Sequence, residues 1–258
     1  GLLKANGGAG DSGNSGGSGG GGMIALDYQN LSGAPGIQVE TKVGAGDPCA
    51  TWLRSIVNPG KKWADLGPIW LSRTNLIGET LSQFDGLLVS PGWTSWNPGN
   101  LVVTGRTVRL ADDFQLTIGN TLTVLSNGVL ALQGRPVFSS GGNITLNNGY
   151  LSINACTQLV CGGDLALTNG GKLYLVSGPT NSTTTNYGGL VSVVGDILIS
   201  TNSWLYPYSD TNGGSCLLRM SNLRILTANC GISAIGGGFL GNYGAVAGIG
   251  PGKGPSQR

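Results

Sequence analysis

Histidine is absent from the 258 residues. With it go Ser-His-Asp and Cys-His catalysis and every His-ligated metal site. Charge is scarce too: Asp, Glu, Lys and Arg make up 10% of the chain, against about 25% in an average protein. The 14 basic residues are scattered and the net charge is +2, so no basic stripe faces a phosphate backbone and nucleic acid is excluded as a partner. No run of 18 apolar residues occurs, and the uncharged stretch 225–252 is broken by glycines and polar residues. Such a stretch is a poor membrane span. The chain opens on Gly1 with neither a charged n-region nor an apolar h-region, which reads as a mature product or an excised piece.

What is abundant is glycine, 48 residues where about 7% is usual. Apolar residues still make up 40% of the chain, enough to bury a core and argue against disorder. From residue 120 one phrase recurs: NTLTVLSNGVLAL at 120–132, NITLNNGYLSI at 143–153, DLALTNGGKLYL at 164–175, DILISTNSWLY at 196–206, and a degenerate NLRI at 222–225. The first apolar anchors, Leu122, Ile144, Leu165, Ile197 and Leu223, are spaced by 22, 21, 32 and 26 residues. A period of that length is the mark of a solenoid.

Each copy holds two alternating runs joined at Asn-Gly, so the unit reads as strand, corner, strand. Alternation sends Leu122, Val124, Ile144, Leu146, Leu165, Leu167, Ile197 and Ile199 into one interior column. Leu130, Leu132, Leu151, Ile153, Leu173, Leu175 and Leu205 form a second. Gly128, Gly149 and Gly170 are expected to supply the left-handed corner residue, with Asn202 standing in on the fourth copy. Asn-Gly is also a hairpin signal, but near-constant steps and matching columns favour parallel stacking of successive turns. The long step then carries a Thr- and Asn-rich surface loop at 179–189.

Over residues 100–254 this rung pattern resembles the right-handed parallel β-helix of bacterial surface and secreted passenger domains, the autotransporter-adhesin type. The Ala5-Asn-Gly-Gly segment leading into GGGGMIALDY at 19–28 resembles glycine-rich repetitive extracellular proteins of environmental bacteria. The resemblance implies a structural or adhesive role at the cell surface or in a matrix. The expected fold is all-β, a single elongated right-handed parallel β-helix. Residues 1–27 form a glycine-rich loop and first strand, 28–99 irregular Trp-rich rungs or a lateral insertion, and 100–258 regular rungs with a glycine-rich end. The rhyme between the glycine-rich ends suggests stacking into a fibre or array, because open solenoid ends expose strand edges.

Five of the six tryptophans, Trp52, Trp63, Trp70, Trp93 and Trp96, lie in the irregular segment. They fill a wider core, form a protein interface or offer a platform for polysaccharide. Cys156, Cys161, Cys216 and Cys230 are disulfide candidates, as the pairs 156–161 and 216–230, or else buried free thiols. Low charge, abundant Thr, Ser and Asn, and the candidate bridges favour an extracellular or cell-surface setting. Gly8-Ala-Gly-Asp-Ser-Gly matches a dinucleotide fingerprint, but no helix follows it. No cofactor, metal or catalytic residue is assigned. The enzyme alternative is a polysaccharide lyase or hydrolase, whose chemistry needs paired carboxylates or a basic residue beside acidic ones. Asp112-Asp113 with Arg106 and Arg109 is the densest such group, and it reads as a solvated turn with no second cluster in register on neighbouring rungs.

Overall fold

A computed structural model describes residues 1–8, 19–30, 36–44, 65–179, 187–210 and 214–235. Nearly all regular structure is strand, and every strand pair is parallel. Among the described residues the strands fall into three sheets of eleven, seven and six members whose orders advance monotonically along the chain. This is a right-handed parallel β-helix, each regular turn contributing one strand to each sheet.

The register follows from side-chain class. In the seven-stranded sheet Leu101, Leu122, Ile144, Leu165, Ile197 and Leu223 stand directly above one another. Two residues on, Val103, Val124, Leu146, Leu167, Ile199 and Ile225 do the same. A one-residue slip would turn these aliphatic side chains to solvent, so the interior locks the register. The second expected column is present in the eleven-stranded sheet, where Val108, Leu130, Leu151, Leu173 and Leu205 are fully buried.

The turn has three strands, not the two that the repeat suggests. The third sheet is built from Gln115–Ile118, Val137–Ser140, Gln158–Cys161, Gly189–Val193 and Cys216–Arg219, preceded by the short strand Ser95–Trp96. Its interior column, Leu116, Phe138, Leu159 and Val191, is at most 1% exposed. These strands vary more in composition than the other two sets, and so hid in the linker between recognisable phrases.

The corners also differ from expectation. The left-handed residues are Asn127 (φ 60°), Asn148 (φ 50°) and Asn169 (φ 53°), one position before the glycines named above, with Thr201 and Asn202 in the fourth copy. Asn tolerates this region because its short polar side chain compensates locally. Gly170 does have positive φ, at 90°, whereas Gly128 and Gly149 do not. Gly128 is needed because a Cβ there would lie 2.6 Å from the Val103 carbonyl oxygen on the preceding rung and 2.9 Å from that of Leu125.

Residues 28–99 contribute strands Gln38–Glu40, Pro68–Leu71, Thr80–Leu81, Phe84–Val89 and Ser95–Trp96. Gln38–Glu40 and Pro68–Leu71 pair side by side with the single long strand Phe84–Val89. Leu2–Lys4 and Ile24–Leu26 pair with those two in turn. Where the chain leaves and rejoins a rung, glycines meet backbone to backbone: Gly7 against Gly19, Gly67 against Gly22, and Gly188 and Gly214 against Gly178. No helix among the described residues is long and apolar enough to cross a membrane.

Candidate functional site

The charged residues singled out in the sequence separate into different environments. Arg109 points outward from Thr107–Leu110, is 8% exposed, and pairs with Asp65 and with Asp112, the latter at 2.8 Å. Burial lowers the guanidinium pKa, but the hydrogen bond it donates to Asp112 and the Asp65 charge outweigh it and hold Arg109 above its ordinary value. Asp113, on the turn after that strand, has φ 59° and accepts the Arg135 N–H at 2.7 Å. The adjacent aspartates therefore serve two separate structural contacts.

Arg106 belongs to a second cluster that the linear sequence conceals. Glu40 and Asp85 sit in register on adjacent rungs, which corrects the expectation that no further charged cluster stacks on neighbouring turns. The two lie 45 positions apart, and only the side-by-side pairing on Phe84–Val89 brings them together. Lys42 reaches both carboxylates, at 3.6 Å and 3.1 Å, and Arg106 spans the same pair at 3.8 Å and 3.7 Å. Lys4 approaches Glu40 from the exposed side at 3.7 Å, and Asn6 donates to it at 2.6 Å.

Burial raises the Asp85 pKa against the pull of Lys42, the Thr107 N–H and Arg106. Burial pushes Glu40 up as well, but Asn6, Lys42 and Lys4 more than offset it, and its carboxyl titrates below the usual range. Paired carboxylates with divergent pKa values are the pattern of acid–base catalysis. Here Asp85 is 1% exposed, with Lys42 and Arg106 over it. The cluster ties together the turns it joins.

Of the tryptophans, Trp93 and Trp96 come together with ring centroids 6.0 Å apart, and Trp93 meets the fully buried Phe114 edge-on at 4.8 Å. Both are half-buried against the core. Trp70 stands in Pro68–Leu71 opposite Ala25 and Val89, and Trp52 and Trp63 lie outside the described residues. A more extended aromatic array lies elsewhere, on the outer face of the eleven-stranded sheet. Tyr174 and Tyr206 stack at 4.7 Å with 11° between planes, and Tyr206 also stacks with Trp204 at 6.4 Å and Tyr208 at 6.5 Å. Lys172 lies over the Tyr150 ring at 5.1 Å. The signal in the sequence was Lys-Leu-Tyr at 172–174 answered by Trp-Leu-Tyr at 204–206, whose outward positions fall in register.

Cys156, Cys161, Cys216 and Cys230 are free thiols. Cys156 ends a strand of the eleven-stranded sheet, and Cys161 ends one of the six-stranded sheet. Burial pushes the Cys156 thiol up to about 12, with the neighbouring Cys216 adding to it, and burial alone takes Cys216 up to about 12. Cys161 points its thiol at the Gly142 and Asp164 carbonyls, both at 3.4 Å.

A shallow cavity of about 160 Å³ lies on the outer face of the seven-stranded sheet, lined by Asn143, Asp164, Asp196, Leu198 and Arg224 among others. It is smaller than the roughly 300–1,000 Å³ of a typical ligand pocket. One edge is a polar ladder. Asn143 accepts the Asp164 N–H at 2.9 Å, Asp164 accepts the Asp196 N–H at 2.8 Å, and Asn222 donates to Asp196 at 2.7 Å. Among the described residues no three His, Cys, Asp or Glu converge as metal ligands.

Comparison with protein-family models, with curated proteins and with solved structures finds no match for this chain.

Proposed function

We propose that this protein is an extracellular structural subunit, a β-solenoid that works in a surface fibre, matrix or adhesive scaffold rather than as an enzyme. One observation carries the reading: the side chains that repeat pack against or hydrogen-bond to the equivalent residue of the next turn. Aliphatic columns fill the interior, the Asn143–Asp164–Asp196–Asn222 ladder runs along a corner, and the tyrosines stack outside. Such a chain gains stability turn by turn from nearest-neighbour contacts, which suits extension. Its likeness to passenger-type adhesins and glycine-rich surface proteins belongs to the same proposal. The test is to label intact producing cells and their secreted material with an antibody to the protein. Label on the surface or in the matrix is expected, and recovery confined to the cytosol refutes the reading.

A second reading, glycan binding, has one observation in its favour. The shallow cavity sets the amide and carboxylates of Asn143, Asp164 and Asp196 and the Arg224 guanidinium beside the apolar Ala166 and Leu198. That mixture suits a sugar, whose hydroxyls need donors and acceptors and whose C–H face needs apolar contact. A glycan array would discriminate: binding lost in Asp164→Ala supports the adhesin, and a blank array rejects it.

A further inference from the structure

The Glu40–Asp85 cluster brings an amine, a buried carboxyl group and a second carboxylate to one place. Lys42 Nζ lies 3.1 Å from Asp85 Oδ2 and 3.6 Å from Glu40 Oε2. The backbone fixes all three. Glu40 and Asp85 are register partners on paired strands, and the Thr41 N–H donates to the Asp85 carbonyl at 2.8 Å. The Lys42 N–H donates to Asn6 Oδ1 at 3.0 Å, and the Asn6 amide donates to Glu40 Oε1 at 2.6 Å. Asp85 is buried. Its Oδ1 accepts the Thr107 N–H at 3.2 Å, which leaves Oδ2 facing the amine. Burial raises the Asp85 pKa and favours the neutral acid, the form open to attack by an amine. Glu40 has a lowered pKa despite its burial, so it stays ionised and can accept a proton.

We propose that Lys42 and Asp85 condense into an intramolecular isopeptide bond, with Glu40 carrying the proton. Proton transfer from the Lys42 ammonium to Asp85 Oδ2 first neutralises the pair. The Nζ lone pair then attacks Asp85 Cγ, and the Thr107 N–H holds the charge that develops on Oδ1. Glu40 takes a proton from Nζ and returns it to Oδ2. The Cγ–Oδ2 bond breaks, one water leaves, and an Nζ–Cγ amide remains; no other reactant is consumed. Groups fixed side by side react at effective concentrations of about 10⁵–10⁸ M, and burial disfavours the two ions that hydrolysis would restore. Arg106 spans the same carboxylates, but its guanidinium keeps its proton and is no nucleophile. Until the bond forms both carboxylates titrate; afterwards Asp85 does not. The inference stands independently of the scaffold reading.

The test is the intact mass of the full chain, followed by tryptic mapping. The wild type should weigh less than its sequence by one water. Trypsin should leave a branched peptide joining residues 5–54 to 74–106, uncut after Lys42. Lys42→Arg keeps the positive charge without the nucleophile and should have the full mass of its sequence. Asp85→Ala should as well, and Lys42→Arg decides should that variant fail to fold. Glu40→Gln retains both reacting groups and should be recovered largely unlinked. A wild type of full mass, cut after Lys42, overturns the inference. So does a lost water without a branched peptide, because Asp85-Gly86 can instead close on its own backbone as a succinimide. A Glu40→Gln chain as fully linked as the wild type overturns the proton transfer assigned to Glu40.

Discussion

Replacing Gly128 separates two reasons for a glycine at a corner. If it were there for a left-handed backbone, Asn would be the best substitute, since Asn adopts that region readily. The structure gives it a different job: its backbone passes so close to the preceding rung that a Cβ would lie 2.6 Å from the Val103 oxygen. Ordinary contact begins near 3.4 Å, so the corner must retreat by roughly 0.8 Å. That stretches the Val129 N–H bond to the Arg106 carbonyl, now 2.8 Å, past bonding distance. It also disturbs the Gly128 N–H bond to Leu125, at 2.9 Å. Two hydrogen bonds at about 0.5–1.5 kcal/mol each, less about 0.4–1 kcal/mol for stiffening the unfolded chain, leave a net loss of about 1–2 kcal/mol for Gly128→Ala. Gly128→Asn should cost at least as much, and Asn127→Gly only a few tenths of a kcal/mol. Urea or thermal unfolding measures all three. Recovery of wild-type stability in Gly128→Asn would refute the close-approach argument.

Leu146→Asp puts an unpaired carboxylate into a column that is 0% exposed, and several kcal/mol of destabilisation is expected; an unchanged melting temperature would contradict the column assignment. The carboxylates of the Glu40–Asp85 cluster should titrate with opposite signs. Glu40 has a lowered pKa, so its stabilising contribution is complete above the unfolded-state pKa and disappears as pH falls through the folded one. Asp85 has a raised pKa, so its contribution is complete below the unfolded-state pKa and disappears as pH rises through the folded one. Relative to wild type, Glu40→Gln should therefore recover as acid is added and Asp85→Asn should fall behind, as pH-dependent unfolding curves would reveal. With its thiol pushed up to about 12 and its side chain buried, Cys156 should resist iodoacetamide at pH 8 in the folded protein and react once it is unfolded. Mass spectrometry reads the difference, and adducts on the native chain would contradict the burial.

What could be read from the sequence was whatever repeats locally. Leu122, Ile144, Leu165 and Ile197 declare a register because burial demands the same side-chain class at the same height on every turn. The third sheet escaped because its interior positions accept Leu116, Phe138, Leu159 and Val191 alike, volumes too different to register as one phrase. A cue was there in Gly141-Gly142 and Gly162-Gly163, which repeat at the corner following that sheet. The Glu40–Asp85 pair was illegible for another reason. Its partners meet through pairing between strands far apart in the chain, and neither carries a local motif. Asn127 and Gly128 were correctly read as a corner, but their roles were exchanged, because composition shows that a turn needs Gly without showing whether torsion or proximity makes the demand.

The glycine crossings at Gly178, Gly188 and Gly214 carry a consequence for how such a chain can change. They bring the departing and returning backbone within rung distance of each other, so whatever lies between begins and ends at one point on the surface. Lengthening it leaves the stacked turns untouched and costs only the slow logarithmic growth of loop closure, about 0.6 kcal/mol for each doubling. The Gly178–Gly188 crossing is therefore a socket. A peptide tag, an epitope or a small folded domain could be grafted there without renegotiating the core.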